Sequence, residues 1–217
     1  MKLIGKTSIL TFAFVFLVFQ AIALSGSWEL AKEKNGVKVF TRTSASSSLK
    51  DSKAMVNLPA NSDKVIELLN NFDNYPKWMH KCTKGKLLKR ISETECYVYT
   101  VIDSPWPVSD RDLITHVVAT EKNDGTIILE MKGIGDFIPK KDGMVRITDF
   151  DGFWKIAPAD NNTVDLIYQF HTDPAGSIPD WMANMTSVDI PYFTLENMKK
   201  RLKLSLIHIS EPTRHRR

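Results

Sequence analysis

Alternation of apolar and polar residues covers most of this chain of 217 residues and decides its fold class. In "TIILEMKG", for example, Ile127, Leu129 and Met131 alternate with Glu130 and Lys132. A period of two residues indicates β-strands that turn one face inward and the other toward water. Such segments predict about nine antiparallel strands joined by short turns. Together with a short helix and a long terminal helix, they predict an α+β protein of one domain.

Two further strands have clear inward and outward rows. In "MVRIT", the pattern predicts that Val145 and Ile147 face inward, while Arg146 and Thr148 face water. Another inward row is expected on the last strand and comprises Val164, Leu166, Tyr168 and Phe170. These rows, with the row at Leu129, predict one wall of an apolar interior.

Turn and cap residues mark the ends of several elements. The dipeptide Asn35-Gly36 lies between two strand-like runs and predicts a type I′ hairpin, since both positions of that turn need positive φ. Pro59 ends the third predicted strand. A short helix follows, with Asn61 or Ser62 as its cap.

The last part of the domain has helical spacing. One apolar stripe runs from Pro179 to Lys203, comprising Trp181, Met185, Val188, Tyr192, Leu195 and Leu202. Pro191 predicts a kink, because proline removes a backbone donor and clashes with the preceding turn. A sheet of nine strands can hide its apolar face only by curling around this helix. The space between sheet and helix is a predicted ligand cavity.

Residues 1–23 are typical of a secretory signal peptide. Two lysines precede the apolar run "ILTFAFVFLVF", and Ala21-Ile22-Ala23 has the small-x-small pattern of a cleavage site. We therefore expect an exported chain that begins at Leu24 and resides in the periplasm or outside the cell. The alternative is an uncleaved membrane anchor, for which the apolar run is short, because about 20 residues are needed to span a bilayer.

The C-terminal segment has a different origin in our interpretation. "LSLIHISEPTR", from Leu204 to Arg214, resembles the in-frame translation of a widely used sequencing adapter. We expect residues 204–217 to be adapter-derived and the ligand-binding domain to span residues 24–203. The alternative is a natural extension of the last helix or a further strand, since the segment contains the apolar residues Leu204, Leu206, Ile207 and Ile209.

The formal net charge of +4 comes from these two ends. The leader carries two lysines, and the tail carries three arginines against one glutamate, so residues 24–203 are neutral. A neutral domain has no electrostatic footprint for DNA or RNA, and we expect no nucleic-acid partner.

The histidines do not follow a catalytic or metal-binding pattern. His80, His116 and His171 fall on a predicted loop and two strands, and the sequence has no GxSxG, HExxH or glycine-rich phosphate motif. A metal site with His80 and Cys82 lacks further ligands. We expect no catalytic residue, no metal ion and no cofactor.

The two cysteines are predicted to remain separate thiols. With the hairpin turn near Glu93, Cys96 lies opposite Arg90. Cys82 is then eight residues away along the neighbouring strand, about 27 Å, whereas a disulfide needs α-carbons within about 7 Å.

Five sequence pieces occur in a characteristic order. They are Trp28-Glu29-Leu30 with "NGVKVFTR", Trp78 after the first helix, "PWPVSDRD", "MVRITDFDGFWKIAP", and "DPAGSIPDWMAN" before the last helix. In this order they resemble the START domain, the lipid-transfer fold named for the steroidogenic acute regulatory protein. The resemblance implies the helix-grip fold, a curved antiparallel sheet wrapped around a long C-terminal helix. It also implies noncatalytic binding of one hydrophobic ligand, such as a lipid or sterol, under that helix.

The expected ligand-binding residues combine inward strand positions, the stripe of the last helix and positions that the resemblance implies, namely Val98, Thr100, Leu113, Thr115, Val117, Leu129, Met131, Tyr168, Phe170, Trp181, Met185, Val188 and Tyr192. Some START proteins place an acid and an arginine in the cavity, where this chain has Val98 and Val117. This departure implies a more apolar ligand or a different polar anchor. The candidates for that anchor are Thr100, Thr115, Tyr168 and Asn184.

Three residues are expected at the lid or rim of the cavity. Trp106 lies between two prolines and either touches a membrane or packs against the last helix. Arg111 lies between Asp110 and Asp112 and either contacts a ligand headgroup or forms a structural ion pair. Pro191 gives the helix a place to bend if it acts as a lid.

Two other functions remain open. The wider helix-grip superfamily includes polyketide aromatase/cyclase-like enzymes, for which Arg111, His116 or Tyr168 would be the groups to mutate. A protein-binding module would instead show an exposed apolar patch. The leading expectation is an exported monomer that binds a hydrophobic molecule and contacts membranes transiently.

Overall fold

Ten β-strands and two α-helices form the described part of the protein. This computed structural model describes residues 26–44, 49–176, 178–179, 182–183 and 185–210. The strands are β1 (Glu29–Lys34), β2 (Val37–Thr43), β3 (Lys50–Leu58), β4 (Cys82–Arg90), β5 (Glu95–Ile102), β6 (Asp110–Glu121), β7 (Ile127–Gly133), β8 (Met144–Ile147), β9 (Asp149–Ala159) and β10 (Thr163–Asp173). The helices are α1 (Ser62–Asn70) and α2 (Ile190–Ser210), with 3₁₀ helices at Phe72–Lys77 and Asp160–Asn162 and a π-helical segment at Met185–Asp189.

All ten strands belong to one sheet. Its order is β1-β2-β3-β10-β9-β7-β6-β5-β4 with antiparallel neighbours, and β8 pairs in parallel with the start of β6. The predicted α+β fold with a large antiparallel sheet and a C-terminal helix is confirmed. The structure has one more strand than the predicted nine, because "MVRITDFDGFWKIAP" divides after Ile147 and continues as β9 between β7 and β10.

Local signals at the turns are confirmed. Asn35 and Gly36 have φ values of 54° and 77°, as a type I′ turn requires. β3 ends at Leu58, directly before Pro59. Of the two candidate caps, the side chain of Asn61 accepts a hydrogen bond from the Lys64 amide at 3.1 Å and so begins α1.

The core lies between the inner face of the sheet and the helices. Its fully buried members come from strands and helices alike and include Val37, Val39, Val65, Trp78, Ile156, Leu166, Tyr192, Leu195 and Met198. Gly85 allows the 3₁₀ helix to pack on β4, because a Cβ there would lie 2.2 Å from the carbonyl oxygen of Phe72. This close approach brings Phe72 and Tyr75 into the core.

The C-terminal helical region changes its hydrogen-bond pattern before Pro191. The π-helical segment precedes α2, and Pro191 is the second residue of α2. α2 packs against β2 and β3 and continues to Ser210, beyond the domain boundary expected at Lys203. The predicted signal peptide, Trp181, Asn184 and residues 211–217 lie outside the described residues. Over the described ranges, no helix has both the length and the apolar character needed to cross a bilayer.

Candidate functional site

A cavity of about 300 Å³ lies between the inner face of the sheet and the helices. Residues of β4 to β10 form its sheet wall, while α1, the 3₁₀ helix, the residues before α2 and the first turns of α2 cover it. Its volume is at the lower end of the range of about 300–1,000 Å³ for small-molecule sites. The fold therefore has the predicted space between sheet and helix.

Most of the predicted ligand-binding residues line this cavity. They are Val98, Thr100, Leu113, Thr115, Val117, Leu129, Met131, Tyr168, Phe170 and Met185. Alternation along each strand places all of them but Met185 there, since every second side chain of a strand shares one face. Their contact with a ligand stays a prediction.

The placement expected for Val188 and Tyr192 is wrong, because neither is part of the cavity wall. In their place the C-terminal helical region contributes Met182, Met185, Thr186, Ile190 and Thr194. A π-helical turn takes more residues than an α-helical turn, so the segment Met185–Asp189 shifts the face predicted from a uniform 3.6-residue period. The hydroxyl of Tyr192 instead donates to Glu196 at 3.3 Å.

Other wall residues were missed by the sequence interpretation. Cys96 and Ile102 share a face of β5 with Val98 and Thr100, and Thr172 is one step beyond Phe170 on β10. Continuing the same alternation would have found all three. Other wall residues lie on helices and loops, where strand alternation predicts nothing about packing. Examples are Ile66 and Leu69 of α1 and Ser104 of the β5–β6 loop.

The candidate polar anchors have different surroundings. Thr115 donates its hydroxyl to the carbonyl of Val98 at 3.5 Å. The ring of Tyr168 stacks on Trp154, with centroids 3.9 Å apart, and burial raises the pKa of its phenol. Within the described ranges, the Tyr168 hydroxyl forms no hydrogen bond with protein, so it is free to contact a ligand.

Arg111 lines the cavity, but among the described residues it does not form the ion pair that was predicted as one of its two roles. Its guanidinium donates to the carbonyls of Ser109, Pro174 and Ala175, the latter two at 3.3 and 3.4 Å. The flanking carboxylates have other partners: Asp110 accepts from the Ser104 amide at 3.0 Å, and Asp112 pairs with another arginine. Arg111 thereby ties the start of β6 to the loop after β10.

The arginine that pairs with Asp112 is Arg146, and its predicted position on the water face is wrong. Its Nε and Nη2 donate to the two carboxylate oxygens, both at 2.8 Å. The parallel pairing of β8 with β6 sets Arg146 directly opposite Asp112. The Tyr99 hydroxyl also donates to Asp112, at 3.2 Å.

Their mutual contact shifts both pKa values. Burial raises the pKa of the Asp112 carboxyl, but the hydrogen bonds and charge of Arg146 lower it more, so it lies below its ordinary value of 3.8. The hydrogen bond from Arg146 to Asp112 and the carboxylate charge raise the pKa of the guanidinium. Both members of the pair are therefore ionised, and the pair holds β8 against the start of β6.

Trp106 lies at the tip of the β5–β6 loop, and its expected packing against the last helix is wrong. Its side chain is 92% exposed. The same loop contains Ser104, a residue of the cavity wall. The other role expected for Trp106, contact with a membrane, stays a prediction.

The histidines lie apart from one another. His116 contacts Glu95 at 2.8 Å and His171 contacts Asp51 at 2.9 Å. His80 lines the cavity and packs on Phe193, with ring centroids 4.8 Å apart, and burial lowers its pKa. Within the described ranges, no three His, Cys, Asp or Glu side chains lie close enough together to hold a metal ion.

The cysteine register is confirmed. Arg90 pairs with Cys96, and Cys82 pairs with Ile102 at the opposite end of the same hairpin. Both thiols are free and buried in the cavity wall. Burial raises the pKa of Cys82 to about 11 and also raises that of Cys96.

Comparison with known proteins agrees with this architecture. The family model for the START domain matches residues 20–205. An uncharacterized protein of Pseudomonas aeruginosa, PA1579, is 35% identical over 177 residues, which cover 82% of this chain and 87% of that protein. The phosphatidylcholine transfer protein of Bos taurus is 26% identical over 191 residues, covering 83% of this chain and 87% of that protein.

A solved structure is also similar over most of its length. The crystal structure of a STAR-related lipid transfer protein fragment from Xanthomonas axonopodis has a TM-score of 0.75 and 37% sequence identity. The match covers 81% of this chain and 98% of that one. With a ten-stranded sheet, a C-terminal helix and a cavity between them, and with the family model matching 20–205, the chain belongs to the START domain family.

Proposed function

We propose that this protein is exported, binds one lipid or similar hydrophobic molecule in its cavity and carries it through an aqueous compartment. The observation that carries the proposal is the apolar cavity of about 300 Å³ between sheet and helix in a START chain. Burial of apolar ligand surface supplies about 25 cal/mol per Å². The names of the relatives, a phosphatidylcholine transfer protein and a STAR-related lipid transfer protein, support a lipid as the ligand.

The size of the cavity favours a small lipid. A volume of about 300 Å³ suits a ligand with one acyl chain or one ring system better than a lipid with two acyl chains. The apolar wall can also adapt its shape to an irregular ligand, because methionine side chains are flexible. The methionines that line the cavity are Met79, Met131, Met182 and Met185.

Membrane contact would load and unload this ligand. Trp106 is 92% exposed on a loop that also forms part of the cavity wall. Tryptophan is enriched at membrane–water interfaces, since its ring is apolar and its N–H is polar. We infer that the loop touches the membrane and that the π-helical segment Met185–Asp189 moves aside as part of the lid.

Lipid uptake tests the binding part of the proposal. The purified chain is incubated with vesicles that contain palmitic acid, cholesterol and phosphatidylcholine, and it is then separated by gel filtration. We expect one lipid molecule to co-elute with each protein chain, with palmitic acid or cholesterol taken up in preference to phosphatidylcholine. Elution of the protein without any of the three lipids would contradict the proposed function.

Export is tested separately with the full chain. The leader carries two lysines, an apolar run and an Ala21-Ile22-Ala23 site, so we expect cleavage after Ala23. Expression in a bacterium with a periplasm, followed by cell fractionation and intact mass measurement, should give a periplasmic chain that begins at Leu24. Recovery of the uncleaved chain from the cytoplasm would argue against export.

A further inference from the structure

One end of the cavity combines a buried cation with two buried hydroxyls. Arg111, Ser104 and Thr172 line the cavity and are 3%, 8% and 8% exposed. The Ser104 amide donates to Asp110, the neighbour of Arg111, at 3.0 Å. Arg111 in turn donates to the carbonyl of Pro174, two residues after Thr172, at 3.3 Å. The three side chains therefore share the end of the cavity where β6 begins and β10 ends.

The two buried hydroxyls, those of Ser104 and Thr172, lack hydrogen-bond partners within the described residues. A buried hydroxyl without a partner destabilises the folded state, and buried polar side chains are ordinarily hydrogen-bonded. A polar ligand group at this end of the cavity would supply the missing partner for both hydroxyls.

The charge of Arg111 is also incompletely satisfied. Three of its five N–H groups donate to backbone carbonyls, which carry no net charge. No carboxylate of the described residues forms an ion pair with it, although the charge of Asp110 is near. Burial lowers the pKa of Arg111, and Asp110 partly offsets this effect. A buried cation without a paired anion is unfavourable, which makes this end of the cavity attractive to an anion.

We propose that this end binds the carboxylate of a lipid with one acyl chain, with Arg111 as its counter-ion and Ser104 and Thr172 as hydrogen-bond donors. The inference rests on the proposed lipid-binding function. One carboxylate matches one guanidinium, whose planar fork suits two oxygens. A dianionic phosphate fits less well, because Asp110 would repel its second charge.

The acyl chain has an apolar path directly beyond this polar end. Leu113, Ile147, Phe150 and Phe170 form a buried cluster, and Met131 and Tyr168 pack against it. Leu113 and Phe170 are each two residues from a member of the polar end, on the same faces of β6 and β10. A headgroup at Arg111 therefore directs the chain along this cluster into the rest of the cavity.

The test compares three ligands with the same sixteen-carbon chain: palmitic acid, hexadecanol and methyl palmitate. Their affinities are measured at about pH 8, where the acid is ionised, by displacement of the neutral dye Nile red from the purified chain. Charge-assisted hydrogen bonds should give the acid a roughly tenfold higher affinity than the ester. Ser104→Ala and Thr172→Val should each lower this acid-to-ester ratio severalfold without lowering the unfolding midpoint, because neither hydroxyl has a hydrogen-bond partner among the described residues.

Thr41→Val is the matched control, since Thr41 is a buried threonine of β2 outside the cavity wall. The control should retain the acid-to-ester ratio of the unmodified chain. Equal binding of acid and ester, or an unchanged ratio in both hydroxyl variants, would overturn the headgroup assignment while lipid binding stands. Failure of all three compounds to displace the dye would overturn the lipid-binding function itself, and the headgroup assignment with it.

Discussion

Arg146 and Asp112 form a buried ion pair joined by two hydrogen bonds of 2.8 Å. Their side chains are 0% and 1% exposed, and three backbone carbonyls accept further hydrogen bonds from Arg146. The pair joins β8 to β6 beside Arg111. All five N–H groups of Arg146 donate hydrogen bonds and both carboxylate oxygens of Asp112 accept them, so we assign the pair a structural role where β8 meets β6.

Removal of one partner should be strongly destabilising. Arg146→Met leaves the Asp112 carboxylate buried without its cation, and we expect a loss of about 3–5 kcal/mol in the free energy of unfolding, measured with urea. Lys64→Met is the control, because Lys64 forms an exposed ion pair with Glu67 and should change little. Equal stability of the two variants would show that the buried pair does not support the fold.

The same pair predicts how stability depends on acid. The folded-state pKa of Asp112 lies below its ordinary value of 3.8. Its contribution to stability is therefore fully present above the unfolded-state pKa and is lost as pH falls through the folded-state pKa. We expect the free energy of unfolding to drop below about pH 4, and the drop to be smaller in Asp112→Asn. If the free energy of unfolding depends on pH in the same way in the unmodified chain and in Asp112→Asn, Asp112 does not cause the loss of stability in acid.

The two cysteines should react slowly with thiol reagents while the protein is folded. Burial raises the pKa of Cys82 to about 11 and also raises that of Cys96, so little thiolate exists at about pH 8. Labelling by iodoacetamide, followed by intact mass measurement, should be slow in buffer and fast for both thiols in urea. Equally fast labelling under the two conditions would contradict burial of these residues in the cavity wall.

Gly85 should tolerate no side chain, because the 3₁₀ helix packs directly on it. A Cβ at this position would lie 2.2 Å from the Phe72 carbonyl oxygen, which is backbone and cannot rotate away. Gly85→Ala should lower the free energy of unfolding by about 1–3 kcal/mol. Gly135→Ala is the control, since its nearest neighbour is the Thr148 side chain at 3.3 Å. A smaller loss for Gly85→Ala than for this control would refute the close packing.

Trp106 should contribute to binding of membranes but not to the free energy of unfolding. Its side chain is 92% exposed, so Trp106→Ala should change the free energy of unfolding by less than about 0.5 kcal/mol. The same variant should co-sediment less with phospholipid vesicles than the unmodified chain. Leu30→Ala, at an exposed apolar residue of β1, is the control and should bind vesicles normally. Unchanged sedimentation of Trp106→Ala would contradict membrane contact by this loop.

The sequence predicted the strand part of the cavity because alternation is a local property. Every second residue of a strand shares a face, so the alternating pattern alone was enough to assign Leu129, Met131 and Phe170 to the wall. The helix side was less predictable, because the π-helical segment shifts the face that Tyr192 was expected to share with Met185.

Local sequence patterns could not predict which distant segments of the chain pair with each other. Arg146 follows an alternating run, yet the parallel pairing of β8 with β6 brings it to Asp112 rather than to water. The role of Arg111 likewise depends on the loop after β10, whose carbonyls approach it in space. Arg111 was singled out from the sequence and Arg146 was not, and the partners of neither could be predicted from spacing.

The central claim, one lipid inside the cavity, is tested most directly by native mass spectrometry of two neighbouring variants of β6. Val117 lines the cavity, whereas Val118 lies on the outer face of the sheet. Val117→Trp should fill the cavity, and Val118→Trp should leave it open. After incubation with palmitic acid, we predict one bound lipid for the unmodified chain and for Val118→Trp, and little or none for a folded Val117→Trp. Equal lipid occupancy in both variants would contradict binding in this cavity.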